Sequence, residues 1–595
     1  MKKLIDIISE ELKQAFVSCG YDEKYGQVTI SNRPDLCQYQ CNGAMAAAKE
    51  YKKAPIMIAG EVVEKVNKKL FSEVTAIAPG FINIKVCPYY LTLYLEDMVH
   101  AEKFGYEEQG KGNRIIVDYG GPNVAKPLHI GHLRSAVIGE SVKRLCRYAG
   151  NDVIGDVHLG DWGLQMGQII EELRDRQPEL CYFDESYTGE YPKEAPFTIG
   201  ELEEIYPCGS AKSKTDEVFK ERAQTATARL QDGYAPYRAL WKHILNVSIA
   251  DLKKNYGNLD VSFDLWLGES DAQAYIPDMI QMMEEKGYAR ESMGALVVDI
   301  AEETDTKELP PCIVRKSDGA ALYETTDLAT IIQREKDYNP DRYIYVVDKR
   351  QELHFVQVFR AAKKCGLLPA EKELTFLGFG TVNGKDGKPF KTREGGVMRL
   401  ENLIAGVNEE VYKKVMSGRE MSEEEAKEIA KVVGMAALKY ADLSNQASKD
   451  YIFDVDRFTS FEGNTGPYIL YTMVRIKSIL AKYKETQGQT EAGIAHPFGG
   501  AEETREYGQA EVDLMLTTAK FNDVISHAYQ EMAPHKICQY IYEMANAFNG
   551  FYHANKIMSE EDKKKQGEWI SLITLVLHVL EACVDILGFK APERM

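Results

Sequence analysis

Hydrophobic residues change their period along this chain, and the changes divide it into three stretches. Between about 114 and 400, short apolar runs alternate with segments in which apolar residues recur every three to four positions. The runs at 115–118, 152–157, 295–300, 343–347 and 374–378 are dense in apolar residues and short, which predicts buried strands. Behind the first of them, Leu133, Val137, Ile138, Val142, Leu145 and Cys146 recur at helical spacing until Gly150, which predicts a helix that ends there. Strand and helix in alternation are the pattern of an open parallel sheet with crossover helices. A polar turn at 316–320, between Ile313-Val314 and Ala321-Leu322-Tyr323, predicts a hairpin. A charge-rich insertion at about 175–235, with helical segments at 202–205 and 214–230, interrupts the sheet.

Beyond about 400 glycine becomes sparse and the helical period takes over, with long candidates at 424–440, 468–484, 535–557 and 568–587 and a loop over 486–507. This predicts a C-terminal α-helical bundle. Residues 1–108 read as a separate α/β module with a strand at 80–86, followed by a polar, glycine-rich linker over 106–113. The expected domains are therefore 1–108, 109–400 with its insertion, and 401–595. No internal repeat or low-complexity tract is present.

Composition narrows the class. At 595 residues the chain exceeds a single core, and 44% hydrophobic with 27% charged residues can bury several. The longest apolar stretch, 569–580, is broken by Ser571, Thr574 and His578 and falls short of a bilayer span, which predicts a buried helix. The first residues, Met-Lys-Lys-Leu-Ile-Asp-Ile-Ile-Ser-Glu-Glu, carry acids and no leader pattern. Together these predict a cytoplasmic chain with no membrane partner. Eleven cysteines without a Cys-x-x-Cys pair predict free thiols and no structural metal. The net charge of −19, from 72 basic and 91 acidic residues, neither supports nor excludes RNA, because phosphate binding needs only a local basic surface. Lys52, Lys53, Lys65, Lys68 and Lys69 form one such candidate, with a solvated helix face as the alternative.

The chemistry concentrates at the first strand–helix junction. The run Pro122, Asn123, Val124, Ala125, Lys126, Pro127, Leu128, His129, Ile130, Gly131 and His132 leads from the strand into the helix. It places two imidazoles on one face of the first helical turn, with a side-chain-free residue between them. A helix N-terminus favours anions through its free N–H groups and dipole. With two histidines and Lys126 added, the junction suits a nucleoside triphosphate.

His129-Ile130-Gly131-His132 matches the HIGH signature of class I aminoacyl-tRNA synthetases, although nucleotidylyltransferases carry a similar H-x-G-H. The longer string from Asp118 to Ser135 closely resembles arginyl-tRNA synthetases. Similar strings stand at 155–167, 322–354, 384–396, 461–478, 534–553 and 591–595, so the resemblance spans nearly the whole chain. It implies an α/β fold: a class I Rossmann-like parallel-sheet catalytic domain with an N-terminal α/β module that contacts tRNA and a C-terminal α-helical anticodon-binding bundle.

The implied activity is arginine–tRNA ligation, with Mg-ATP as substrate, arginyl-adenylate as intermediate, and L-arginine and tRNA-Arg as partners of a monomeric enzyme. His129, His132 and Lys126 would contact the triphosphate, with Gly131 under adenine. The loop that corresponds to the family's KMSK segment, 384–396, departs from that motif and offers Lys385, Lys388, Lys391 and Arg393. Lys388 and Lys391 are its expected catalytic cations. The arginine pocket maps onto Asp118, Asn123, Tyr323, Asp327 and Gln351, with the two aspartates facing the guanidinium. His158, Asp161, Trp162 and Gln165 are expected along the same site. Tyr468, Tyr471, Phe551, Tyr552 and Met595 are the candidates for contact with tRNA bases. On the residues alone two other readings stay open. One is a nucleotidylyltransferase, which would have no use for the helical bundle. The other is a non-enzymatic RNA-binding protein, in which eroded site residues would be expected.

Overall fold

Two periods govern the first hundred residues. Helix α1 (Leu4–Ser18) turns Leu4, Ile8, Leu12 and Phe16 inward at helical spacing. Strands β1 (Val28–Ile30), β2 (Tyr39–Cys41), β3 (Phe71–Ile77) and β4 (Phe81–Val86) pair antiparallel in the order β1-β2-β4-β3. Helices α2 (Gly43–Tyr51) and α3 (Pro55–Lys65) pack on this sheet, and α4 (Pro88–His100) follows it. Lys53, from the basic cluster, is committed to Glu61 and Tyr21. The computed structural model describes residues 1–316, 322–388, 398–418, 421–487 and 505–595. They group into two compact units, Gly110–Thr459 with Ile586–Phe589, and Met1–Gln109 with Ser460–Asp585 and Lys590–Met595.

The central unit begins with β5 (Arg114–Tyr119), α5 (Ile130–Tyr148), β6 (Asp152–Asp156) and α6 (Leu164–Arg176). The insertion then supplies α7 (Ile199–Thr215), α8 (Glu217–Gln231) and α9 (Ala235–Asn258). Thr198 and Glu201 cap α7 reciprocally, and Asp216 caps α8, so the two expected helices are separated cleanly at 216. The one-turn α10 (Glu269–Ala272), α11 (Ile276–Glu285) and strands β7 (Ala289–Ser292), β8 (Ala295–Val298) and β9 (Cys312–Arg315) come next. Helix α12 (Tyr323–Tyr338), β10 (Arg342–Asp348), α13 (Glu352–Lys364) and β11 (Glu373–Phe379) complete the core.

The main sheet is parallel, in the order β11-β10-β5-β6. Asp118 stands opposite Asp156 on one side and Tyr345 on the other. From β5 the chain proceeds to β6 on one flank and later returns to β10 on the other. The order therefore reverses at β5, and the carboxyl ends of β5 and β10 open a ligand crevice.

Two expectations for this region are corrected. The run at 295–300 does not join the parallel sheet; β8 pairs antiparallel with β7 and β9 in a separate three-stranded sheet. Met293 and Gly294 both take positive φ, 50° and 80°, so a tight left-handed turn folds β8 back on β7 and leaves no room for a crossover. The expected hairpin turn falls largely on 317–321, outside the described residues. Beyond it Leu322 is extended and Tyr323 starts α12, so the second arm is a helix entry, with Thr325 Oγ1 accepting from Leu322 N–H at 3.0 Å.

After β11, β12 (Val382–Asn383) is followed by α14 (Leu400–Gly418), α15 (Glu423–Leu443), β13 (Tyr451–Ile452), which pairs parallel with β12, and α16 (Val455–Phe458). Helices α14 and α15 pack on each other and on α5. Arg134 of α5 and Asp442 of α15, 1% and 0% exposed, pair at 3.1 Å, and Arg134 also donates to the carbonyls of Gly380 and Lys449. The central unit consequently runs to Thr459, past the expected boundary at 400. Helical period identifies α15 but does not say which surface its apolar face will meet.

The other unit continues with α17 (Gly466–Gln487), α18 (Gln509–Ala519), α19 (Phe521–Glu531), α20 (Pro534–Ala554) and α21 (Lys563–Ile586). Most of the expected loop, 488–504, lies outside the described residues. Helix α21 is long and apolar enough to cross a membrane by composition, yet Trp569, Ile570, Ile573, Val576 and Leu580 are buried within the helical unit. The N-terminal module is part of the same compact body. The Phe104 ring meets Phe521 edge-on at 5.3 Å, Asn522 donates to the Phe104 carbonyl at 3.0 Å, and Lys3 faces Asp523 at 3.7 Å.

Candidate active site

His129 is the N-cap of α5 and His132 its third residue, and the two imidazoles cap the helix reciprocally. His129 Nδ1 accepts from the Gly131 N–H at 3.0 Å, and His132 Nδ1 accepts from the His129 N–H at 3.1 Å. The rings stand 4.0 Å apart. Burial lowers the pKa of both, with Lys126 adding to the effect; His132 is pushed down to about 3. Both rings are therefore neutral near pH 7. Since each Nδ1 accepts, each proton sits on Nε2, which leaves two donors at the helix N-terminus. A Cβ at position 131 would lie 2.7 Å from His129 Cε1, so glycine there preserves the ring position. The approach is fixed as well. Ala125 takes φ 60° and donates its N–H to Ser248 Oγ, and Val124 donates to the Gly160 carbonyl. Lys126 places its ammonium 4.9 Å over the ring of Tyr206 in α7.

The carboxyl ends of β5 and β6 hold Asp118 and Asp156. Arg334 of α12, 1% exposed, puts one Nη2 between them, 2.6 Å from Asp118 and 2.7 Å from Asp156, and its Nη1 reaches the Tyr345 hydroxyl at 3.3 Å. His158 joins the two aspartates with ligand atoms within 4.8 Å of one another. That triad does not fit a metal ion, because the guanidinium already holds the position between the carboxylates. His158 itself takes φ 41°, and both of its ring nitrogens are buried without a partner among the described residues.

One turn of α12 brings Tyr323 and Asp327 onto one face, as their spacing predicts. Asp327 Oδ2 lies 2.5 Å from His354 Nε2, and Glu324 lies 3.4 Å from His354 Nδ1. These two carboxylates hold His354 protonated, with its pKa raised to about 9 against the opposing effect of burial. Gln351, in the turn before α13, is exposed and makes no side-chain hydrogen bond to the other four pocket residues.

Glu269, at the start of α10, was not among the expected residues. Burial raises its carboxyl to about 7, with Asp161 and Asp327 among the charges that act on it and His158 in opposition. Asp161 anchors the neighbouring residue, accepting from Ser270 N–H at 3.0 Å and Ser270 Oγ at 2.5 Å. Trp162 is a packed support, with its Nε1 donating to Gln273 and its ring edge-on to Trp241 at 5.3 Å. Asn123 is held by a bridge to Gly160, where a Cβ would meet its Oδ1 at 2.1 Å. Apart from family resemblance, the sequence carries no signal for Glu269, Arg334 or His354. Each is a single polar residue whose meaning comes from the element packed against it.

The basic loop starts from a tight turn, with Gly384 donating to the Lys388 carbonyl at 2.7 Å and Gly387 at φ 73°. Lys385 faces Asp454 at 3.2 Å, whereas Lys391 and Arg393 lie outside the described residues. Where the chain is described again, Met398 accepts from Ile130 N–H and Leu400 donates to the Leu128 carbonyl, which pairs Arg399 with His129.

In the helical unit, Arg475 of α17 lies over Tyr471 at 4.8 Å and Tyr552 at 5.4 Å and donates to Asn549. Tyr468 donates its hydroxyl to Asn546 and accepts from Asn549. These groups form one aromatic and amide face. Phe551 and Met595 are not on it. Phe551 is fully buried edge-on against Trp569, and Met595 is also buried, so neither has a free face for a base.

Against known proteins, residues 2–86 match the family model of the arginyl tRNA synthetase N terminal domain, residues 95–455 that of the class I (R) tRNA synthetase catalytic domain, and residues 469–595 that of the DALR anticodon binding domain. The chain is 62% identical to an arginine–tRNA ligase of Agathobacter rectalis and 56% identical to one of Alkaliphilus oremlandii, each over 100% of both chains. Its fold is similar to the arginyl-tRNA synthetases of Plasmodium falciparum (TM-score 0.81, 23% identity) and Thermus thermophilus (TM-score 0.76, 22% identity), each covered over 100% of both chains. The chain belongs to the arginyl-tRNA synthetases of class I.

Proposed function

We infer that the chain activates L-arginine with ATP to arginyl-adenylate and pyrophosphate, then transfers arginine to the 3′-terminal adenosine of tRNA-Arg. The observation that carries this is identity of 62% and 56%, over the full length, to arginine–tRNA ligases. In the first step the arginine carboxylate attacks the α-phosphorus of Mg-ATP and pyrophosphate leaves. The protein's work is to position the reactants and to stabilise charge on the phosphates. His129 and His132 offer neutral Nε2–H donors beside the α5 dipole, a fixed arrangement that needs no proton transfer. Lys126 and the loop cations Lys388 and Lys391 supply positive charge, with Gly131 under adenine and 122–132 as the binding run.

For the amino acid, Asp327 and Glu269 take the guanidinium, with Tyr323 packing beside it. Glu269 supports this reading because it is a desolvated carboxylate with no protein guanidinium or ammonium paired to it among the described residues. Asp118 is reassigned to the α-amino end with Asn123 and Gln351, since Arg334 already takes one of its oxygens. Tyr468, Tyr471 and Tyr552, joined by Arg475, form the surface on which single-stranded tRNA bases would stack. The enzyme would act as a cytoplasmic monomer. Pyrophosphate–ATP exchange, measured across the amino acids with and without tRNA, tests the assignment; exchange driven by another amino acid and not by arginine overturns it.

A further inference from the structure

Two cations flank His129, and both are held by the same insertion helix. Lys126 stands three residues before it and rests on the ring of Tyr206 at 4.9 Å. Arg399 is paired with it across an antiparallel bridge and contacts Glu203 at 2.7 Å through Nη1. Tyr206 and Glu203 are one turn apart on α7 and so share a face. The hydrogen bonds at this bridge run from Ile130 to Met398 and from Leu400 to Leu128, on either side of the pair. Residues 129 and 399 are therefore a non-hydrogen-bonded pair, the kind that brings side chains closest and projects them to the same side. His129 is the cap of the phosphate-facing helix turn. Arg399 thus emerges on the face where the triphosphate would lie, at the end of the basic loop, with its guanidinium drawn aside by an acid of the insertion.

We propose that Arg399 is a further triphosphate-binding cation of the adenylation step, and that α7 holds Arg399 on Glu203 and Lys126 on Tyr206 until ATP draws them onto its phosphates. This rests on the adenylation reading above. A guanidinium matches phosphate oxygens bidentately, the Arg399 side chain is 54% exposed, and a triphosphate outcompetes a single carboxylate by charge. The insertion helix would then set the affinity for ATP without itself touching the nucleotide.

Exchange assays at saturating tRNA, with ATP varied, test the proposal. Arg399→Ala is expected to raise KM for ATP by about tenfold or more and to lower kcat, with KM for arginine within about twofold of wild type. Arg399→Lys should fall between. Glu203→Gln, which frees the guanidinium, should move KM for ATP the other way, down by about threefold. Opposite signs for the two variants are the signature of a held cation. The same sign for both would mean that the pair is only a structural tie, and an unchanged KM for ATP in Arg399→Ala would exclude contact; either result overturns the proposal. Equilibrium binding of ATP to the same full-length variants gives a second readout that does not depend on arginine. Absence of arginine-dependent exchange in wild type would overturn the ligase reading, whereas loss of the opposite-sign pattern in ATP binding would overturn this one.

Discussion

Glu269 shows how a single side chain can tune this pocket. Its carboxyl is pushed up to about 7, so in the empty site it titrates across the neutral range, while a guanidinium beside it would favour the charged form. Arginine should therefore bind more tightly as pH rises from 6 to 8. KM for arginine is expected to fall over that interval in wild type and to be higher but flat in Glu269→Gln; an unchanged slope in the variant would remove Glu269 from the pocket. His132 carries the opposite lesson. Its folded pKa of about 3 lies below the ordinary value of 6.5, so the unfolded chain takes a proton that the folded chain refuses. No stability is lost above pH 6.5, and below it stability falls by at most about 1.4 kcal/mol per pH unit. Urea midpoints at pH 7 and pH 5 should fall less in His132→Asn than in wild type. Motif resemblance singles out His132, whereas Glu269 lies in an unremarkable Gly-Glu-Ser-Asp stretch and is recognised only once Asp161 and Asp327 surround it.

Helices act here through their ends and their ties. Helix α5 begins with a reciprocal imidazole cap, which requires position 131 to have no side chain. Gly131→Ala should displace the His129 ring and lower kcat for exchange by about tenfold or more, with KM for arginine retained. Helices α12 and α13 are tied by Glu324, His354 and Asp327. With a folded pKa of about 9 against 6.5 unfolded, His354 gives its full stabilisation below pH 6.5 and loses it as pH rises through 9. Its contribution at pH 7 is on the order of 2 kcal/mol. His354→Gln should be less stable than wild type at pH 7, and the gap in urea midpoint should close by pH 10. Periodicity located α5, α15 and α20 because each buries a regular apolar face. It missed α14, α18 and α19, and it took β8 for a strand of the parallel sheet, because strand partner and turn handedness are not carried by apolar period.

At the scale of the molecule, the N-terminal module and the C-terminal helices share one compact body, while the parallel-sheet unit carries α14 and α15 with it. Phe104 against Phe521 is one of the apolar contacts that join the first body. Phe521→Ala should cost about 3–5 kcal/mol there. Calorimetry should show one of two transitions moving down while the other stays; a single transition that shifts as a whole would contradict two separately cooperative bodies.

The sequence alone determined where the chemistry begins. A buried strand, a polar turn and a helix with two histidines in its first turn are local features, set by period and backbone freedom, and the strings around them suffice for family membership. Tyr468, Tyr471 and Tyr552 come from family resemblance, and it is packing with Arg475 and Asn549 that gathers them on one face. Only tertiary structure decided which charges meet. Asp118 reads as a ligand of the substrate guanidinium until Arg334, 216 positions away, takes one of its oxygens. Phe551 reads as a base platform until Trp569 covers it. Electrostatic and packing energies depend on distance and burial between residues remote in sequence, and neither quantity exists until the chain has folded.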